Sequence, residues 1–163
     1  TRTTSSAASD VYKRQLYPQW LDKWDIVVEH TTQTVLSALQ KKKIQHSEDK
    51  EKERVSYHDP CSLARAEGIY DEPREIITLL GGELVEPVKT KKDAMCCGAG
   101  GGVLQNYPDN AKAMAQQRLA HFPDDIKKII TPAGMCFAAL HKEDERIMSL
   151  ATFVLQKLRG LGL

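Results

Sequence analysis

The chain has 163 residues, 41% hydrophobic and 28% charged, a balance that suits one folded domain and argues against general disorder. A formal net charge of +1 and an aromatic content of 6% give no electrostatic or base-stacking case for a nucleic-acid partner. No apolar run approaches the roughly 20 residues of a membrane span, no signal-peptide core stands near the start, and four cysteines are too few for a disulfide scaffold; a cytoplasmic location is the expectation.

Residues 1–15, TRTTSSAASDVYKRQ, are rich in Ser, Thr and Ala without periodicity, and SSAASDVYKRQ resembles translated adapter sequence. They read as a non-native or disordered leader, unpacked against a domain over 16–163, with the native product expected to extend further upstream. Asp25–Glu29 contains a β-branched run that suits a buried strand. Thr31 can cap a following helix whose face carries Val35, Leu36 and Leu39. Residues 41–54, KKKIQHSEDKEKER, mix both signs of charge and read as a solvated helix end and linker.

Arg54–His58 is the next strand candidate, closed by Asp59-Pro60, where a short helix begins and runs to Gly68. Pro73 suits the first turn of another helix, burying Ile76, Ile77, Leu79 and Leu80 and ending at Gly81-Gly82. Glu83–Pro87 is a third short strand. Pro108 opens a helix with Ala111, Met114, Ala115, Leu119 and Phe122 on one face, and Ile129–Thr131 is a fourth strand. Ile147, Leu150, Ala151, Val154, Leu155 and Leu158 mark a last helix closed by Gly160. Strands alternating with helices predict an α/β fold: a mostly parallel sheet flanked by helices, in a single cysteine-rich domain. Ligands of such sheets gather at one edge, beyond the strand ends.

The cysteines are Cys61, Cys96, Cys97 and Cys136, with 34 residues between the first two segments and 38 between Cys97 and Cys136. All lie in turn-prone words (HDPC, MCCGAGGG, TPAGMC), whereas structural cysteines favour apolar elements. A disulfide between adjacent Cys96 and Cys97 is strained, but adjacent thiolates suit one metal or two neighbouring irons. Gly98 and Gly100 to Gly102 allow backbone to approach a bulky inorganic group and offer N–H donors to its sulfurs. Cys61, just after Pro60, would have its thiolate favoured by a helix N-terminus. Other readings stay open: four unrelated buried thiols, a four-thiolate zinc site, or His58 as an ordinary core histidine. A nucleotide loop fits poorly, since Val103 stands where the third glycine of a dinucleotide fingerprint belongs and no Gly-Lys-Ser/Thr follows.

On these residues the chain resembles the cysteine-rich CCG domain found in the B and D subunits of heterodisulfide reductases and in related iron–sulfur oxidoreductases, such as the iron–sulfur subunits of glycolate, lactate and glycerol-3-phosphate dehydrogenases. That pattern is a Cys, a gap of similar length, Cys-Cys-Gly, a second gap, then Cys-x-x-Cys; YHDPCSLAR at 57–65, GIYDEPREI at 68–76 and CCGAGGG at 96–102 carry it here. The resemblance implies that the domain is the C-terminal copy of a two-copy protein, and that it holds a 4Fe-4S cluster. Cys61, Cys96, Cys97 and Cys136 would be the metal ligands, Gly98 and Gly100 the cofactor-binding loop, and His58 an influence on potential or protonation. It implies redox partner subunits carrying flavin or iron–sulfur centres, a disulfide or quinone-linked role, and a site in the cytoplasm or peripheral to a membrane complex without insertion. No catalytic residue is assigned. Ala133 departs from the pattern, standing where the first Cys of Cys-x-x-Cys belongs. Four thiolates suffice for a cluster with one per iron, but a five-cysteine centre is not available; zinc remains the alternative.

Overall fold

The computed structural model describes residues 2–5, 12–41 and 52–159. The charged run after Lys41 lies largely outside them, as does Gly160. Four parallel strands form the main sheet: β3 (Glu53–Tyr57), β4 (Gly82–Leu84), β5 (Ile129–Thr131) and β6 (Ile147–Ser149), in the order β4-β3-β5-β6. Register pairs Val55 with Leu84, Tyr57 with Ile130, and Ile130 with Met148. After β3 the chain runs outward to the edge strand β4, then returns to the other side of β3 as β5. That reversal opens a crevice at the carboxyl ends of β3 and β5, the place where open α/β sheets bind ligands.

The helices are α1 (Tyr17–Trp20), α2 (Thr31–Gln40), α3 (Ala64–Glu67), α4 (Glu72–Leu79), α5 (Val103–Asn106), α6 (Pro108–Leu119), α7 (Gly134–His141) and α8 (Leu150–Arg159). Strand alternation divides the core by sheet face. Val55, Tyr57 and Ile130 pack with Leu36 of α2, Ile76 and Ile77 of α4, Leu80 just beyond its end, and Phe153 of α8. Ile129 packs on the opposite face with Ala115, Phe122, Ala139 and Leu140 of the α6–α7 side. Cys97 and Cys136 belong to this second cluster.

Several expectations change at this level. Ile147 lies in β6, hydrogen-bonded beside β5, and the last helix begins at Leu150. The strand expected over 83–87 is Gly82–Leu84. Leu79 is more than a third exposed, since Ile76, Ile77 and Leu80 already fill the inner face of α4. The cap of α2 is His30, not Thr31: its Nδ1 accepts from Thr32 N at 3.2 Å, and its N–H donates to Gln33 Oε1 at 3.1 Å. The leader is not wholly apart from the fold. Strand β1 (Arg2–Ser5) pairs in parallel with β2 (Val27–His30), and Arg14 donates to Gln33 at 2.9 Å and meets Glu67 at 3.3 Å.

Candidate metal centre

The site begins with the end of β3. Beyond Tyr57, His58 N still bonds to Ile130 O at 2.8 Å, so the strand's alternation runs on through Asp59. His58 therefore faces the α6 side, like Ser56, and Asp59 the α4 side, like Tyr57. Each meets a buried arginine. Arg74 of α4 holds Asp59 with two bonds of 2.8 Å, bonds Glu86 at 2.6 Å and Thr90 at 2.7 Å, and lies over the Tyr57 ring. Lys91 N also donates to Asp59 at 2.9 Å. Burial alone would raise the Asp59 carboxyl; the Arg74 pairing outweighs it and holds the group below its ordinary range. Arg65 of α3 adds a bond of 2.6 Å to Ala94 O. These contacts tie the loop that carries Cys61 to the segment that leads into Cys96.

On the other face Arg118 of α6 donates through Nε to His58 Nδ1 at 3.0 Å and through Nη1 to Lys89 O at 2.7 Å. Its guanidinium lies 4.4 Å from the Phe122 ring centroid. Desolvation lowers it from its ordinary value to about 10, against the pull of Asp59, Cys136 and Cys97.

The three cysteine segments meet in the crevice. Cys61 follows β3, Cys136 lies on the first turn of α7 after β5, and Cys96-Cys97 come from the long connection between β4 and β5. Cys97 Sγ is 3.1 Å from Cys136 Sγ. A His58 ring nitrogen and the Cys97 and Cys136 sulfurs lie within 4.8 Å of one another. All four cysteines are free thiols, and all four line one open cavity of about 490 Å³ with Ala99, Gly100, Pro132, Ala133 and Gly134. Hydrogen bonding from Cys61 and Cys97 brings Cys96 down to about 2, and hydrogen bonding from Cys97 brings Cys136 down to about 5, each against burial. As donors, Cys61 and Cys97 are pushed up. The four thiols are thus close enough to perturb one another, as a set of soft ligands gathered for metal is.

The Cysteine-rich domain profile named CCG matches residues 55–141, more than half of the chain. The chain belongs to that family. It is 35% identical over 107 residues to the D subunit of the dihydromethanophenazine:CoB–CoM heterodisulfide reductase of Methanosarcina acetivorans, covering 65% of this chain and 26% of that protein. It is 36% identical over 92 residues to the B subunit of the fumarate reductase (CoM/CoB) of Methanothermobacter marburgensis (56% and 18%). It is 40% identical over 79 residues to the probable iron-sulfur-binding oxidoreductase FadF of Bacillus subtilis (45% and 11%). The CCG domain thus spans about a quarter or less of the length of these relatives. Among the described residues no helix is long and apolar enough to cross a membrane.

The two glycines singled out in this CCG domain have different reasons. Gly98 has φ +80°, and a Cβ there would stand 2.7 Å from Ala111 O and 3.0 Å from Met114 Cβ, so α6 itself requires glycine. Its N–H lies 3.4 Å from Cys96 Sγ. Gly100 lines the cavity, where a Cβ would meet nothing within 4 Å: the glycine leaves room. Ala133 caps α7 and lines the same cavity as Cys136. Arg74 and Arg118 went unread in the sequence. Arg118 shares the stripe Ala111, Ala115, Arg118, Phe122, and an arginine on an apolar face is the signal that would have found it.

Proposed function

We propose that this CCG domain holds an iron–sulfur cluster and serves as a redox unit of a larger oxidoreductase. The observation that carries the reading is the gathering of four free thiols around one open cavity from three chain segments. The donor set fits the group: soft sulfur ligands around space that Gly100 and Gly134 leave clear. Cys61, Cys96, Cys97 and Cys136 would hold it, one per iron in a 4Fe-4S cluster. When bound, such a cluster supplies one-electron transfer. The residues around it do the rest: Arg74 and Arg65 keep the cysteine loops in register, and Gly98 N–H donates to the Cys96 sulfur. The names of the relatives support a place beside other oxidoreductase subunits and a disulfide or quinone-linked acceptor; flavin or iron–sulfur centres in those subunits belong to this proposal.

Anaerobic purification or reconstitution of the full chain tests the reading. Broad visible absorbance with iron and acid-labile sulfide in matching amounts is expected. Colourless protein with one tightly bound zinc would replace the redox role with a structural one. Ala133→Cys should raise iron content or change the spectrum, since position 133 lines the cavity; Ala133→Ser should do neither. Identical behaviour of both variants would remove position 133 from the site.

A further inference from the structure

We infer that His58 is a hydrogen-bond donor to the cysteine sulfurs of the centre rather than a metal ligand, and that Arg118 is the positioning residue that keeps it so. Its effect on potential rests on the cluster reading; the assignment of the ring does not.

Arg118 and His58 are both buried, 0% and 1% exposed. A guanidinium has only donors and keeps its protons in proteins. With Arg118 Nε 3.0 Å from Nδ1, that nitrogen must present its lone pair. A neutral imidazole then carries its hydrogen on Nε2. Metal-bound histidines show the opposite arrangement: the free nitrogen gives its N–H to a carboxylate or carbonyl while the other binds metal. Arg118 cannot accept, so it excludes that arrangement.

The remaining N–H has one chemistry open to it. Nε2 is buried and closes no hydrogen bond among the described residues. A nitrogen of the ring stands within 4.8 Å of the Cys97 and Cys136 sulfurs. Arg118 is itself held at three points: the imidazole, Lys89 O and the Phe122 face. None of these is a carboxylate, and its Nη2 is buried without a partner among the described residues. A buried cation so placed is offset by negative charge nearby, and a thiolate-ligated centre at Cys97 and Cys136 would supply it. A fixed cation and an N–H aimed at sulfur both favour the more negative, reduced state of a metal–thiolate centre and raise its potential.

The test uses the full chain. In the reduced, metal-free protein, long-range proton–nitrogen NMR on 15N-labelled histidine should place the His58 hydrogen on Nε2. Arg118→Met should release it to a mixture or to Nδ1. A hydrogen on Nδ1 in the unsubstituted protein overturns the assignment whether or not a cluster forms. In the iron-loaded protein, His58→Gln keeps an N–H near the Nε2 position and His58→Leu removes it. Expected is a lower potential in His58→Leu, by at least a tenfold change in the redox equilibrium, about 59 mV for one electron. His58→Gln should stay close to the starting value. Equal shifts in both variants mean a merely structural role. Strong nitrogen hyperfine coupling from a directly bound ring, lost together with iron in His58→Leu, makes His58 a ligand and overturns the inference. Failure to bind iron at all sinks the proposed function alone, and the NMR result still decides the roles of His58 and Arg118.

Discussion

Asp59 and Arg74 show how much of the motif HDPC and of the word DEPREI is scaffolding. The Asp59 carboxylate has no exposed side-chain surface and is satisfied by Arg74, Thr90 and Lys91 N. Removing one partner of such a pair strands a buried charge, which costs about 3–5 kcal/mol. Arg74→Met should lower the unfolding free energy by about that much in urea titrations, and adding Asp59→Asn should recover part of it. A loss below about 1 kcal/mol would mean that water takes over the pair. These words were legible as marks of a resemblance; their physical reason was not. It depends on alternation continuing past β3 and on two arginines 44 residues apart in sequence reaching opposite faces of one strand end, and neither is visible until the sheet is formed. The thiols were legible because their contexts are turns rather than apolar elements. His58 alone was ambiguous, and only Arg118 resolves it.

Helices and strands were readable where the pattern was long or punctuated. Pro73 and Pro108 lie in the first turns of α4 and α6, and Gly68, at φ +68°, closes α3. Ile147-Met148-Ser149 was absorbed into a helical stripe because three residues are too few to show a period of two; pairing with β5 decides it. The α6–glycine contact gives a clean comparison at this scale. Gly98→Ala combines a left-handed backbone with a collision against the backbone of α6. It should cost more than about 2 kcal/mol in urea unfolding, while Gly100→Ala should change stability by less than about 1 kcal/mol. Gly100→Ala should instead lower iron uptake, because its methyl group enters the cavity. Equal stability losses would mean that α6 yields to the added carbon.

For the whole molecule, α/β alternation predicted a parallel sheet, and the sheet is parallel. The strand order was beyond the sequence, and it is the order that makes the site, by sending β4 and β5 to opposite sides of β3. An inorganic centre held at this crevice ties together the segment after β3, the β4–β5 connection and the start of α7. Metal loading should therefore stabilise the molecule as a cross-link does. Calorimetry under anaerobic conditions should show the loaded protein melting roughly 6–12 °C above the stripped one, the equivalent of about 3 kcal/mol. Equal midpoints would mean that the metal engages only a local pair such as Cys96 and Cys97.

The pairing of Ser56 with Ile129 joins positions more than seventy residues apart, and the crevice does not exist before it forms. Contacts this distant are reached late, after the loop-closure entropy has been met. Before that pairing only the neighbours Cys96 and Cys97 are held close by the chain itself, and a four-thiol site would need β5 docked. Metal capture by all four thiols would thus report a late step of folding, after the sheet has formed.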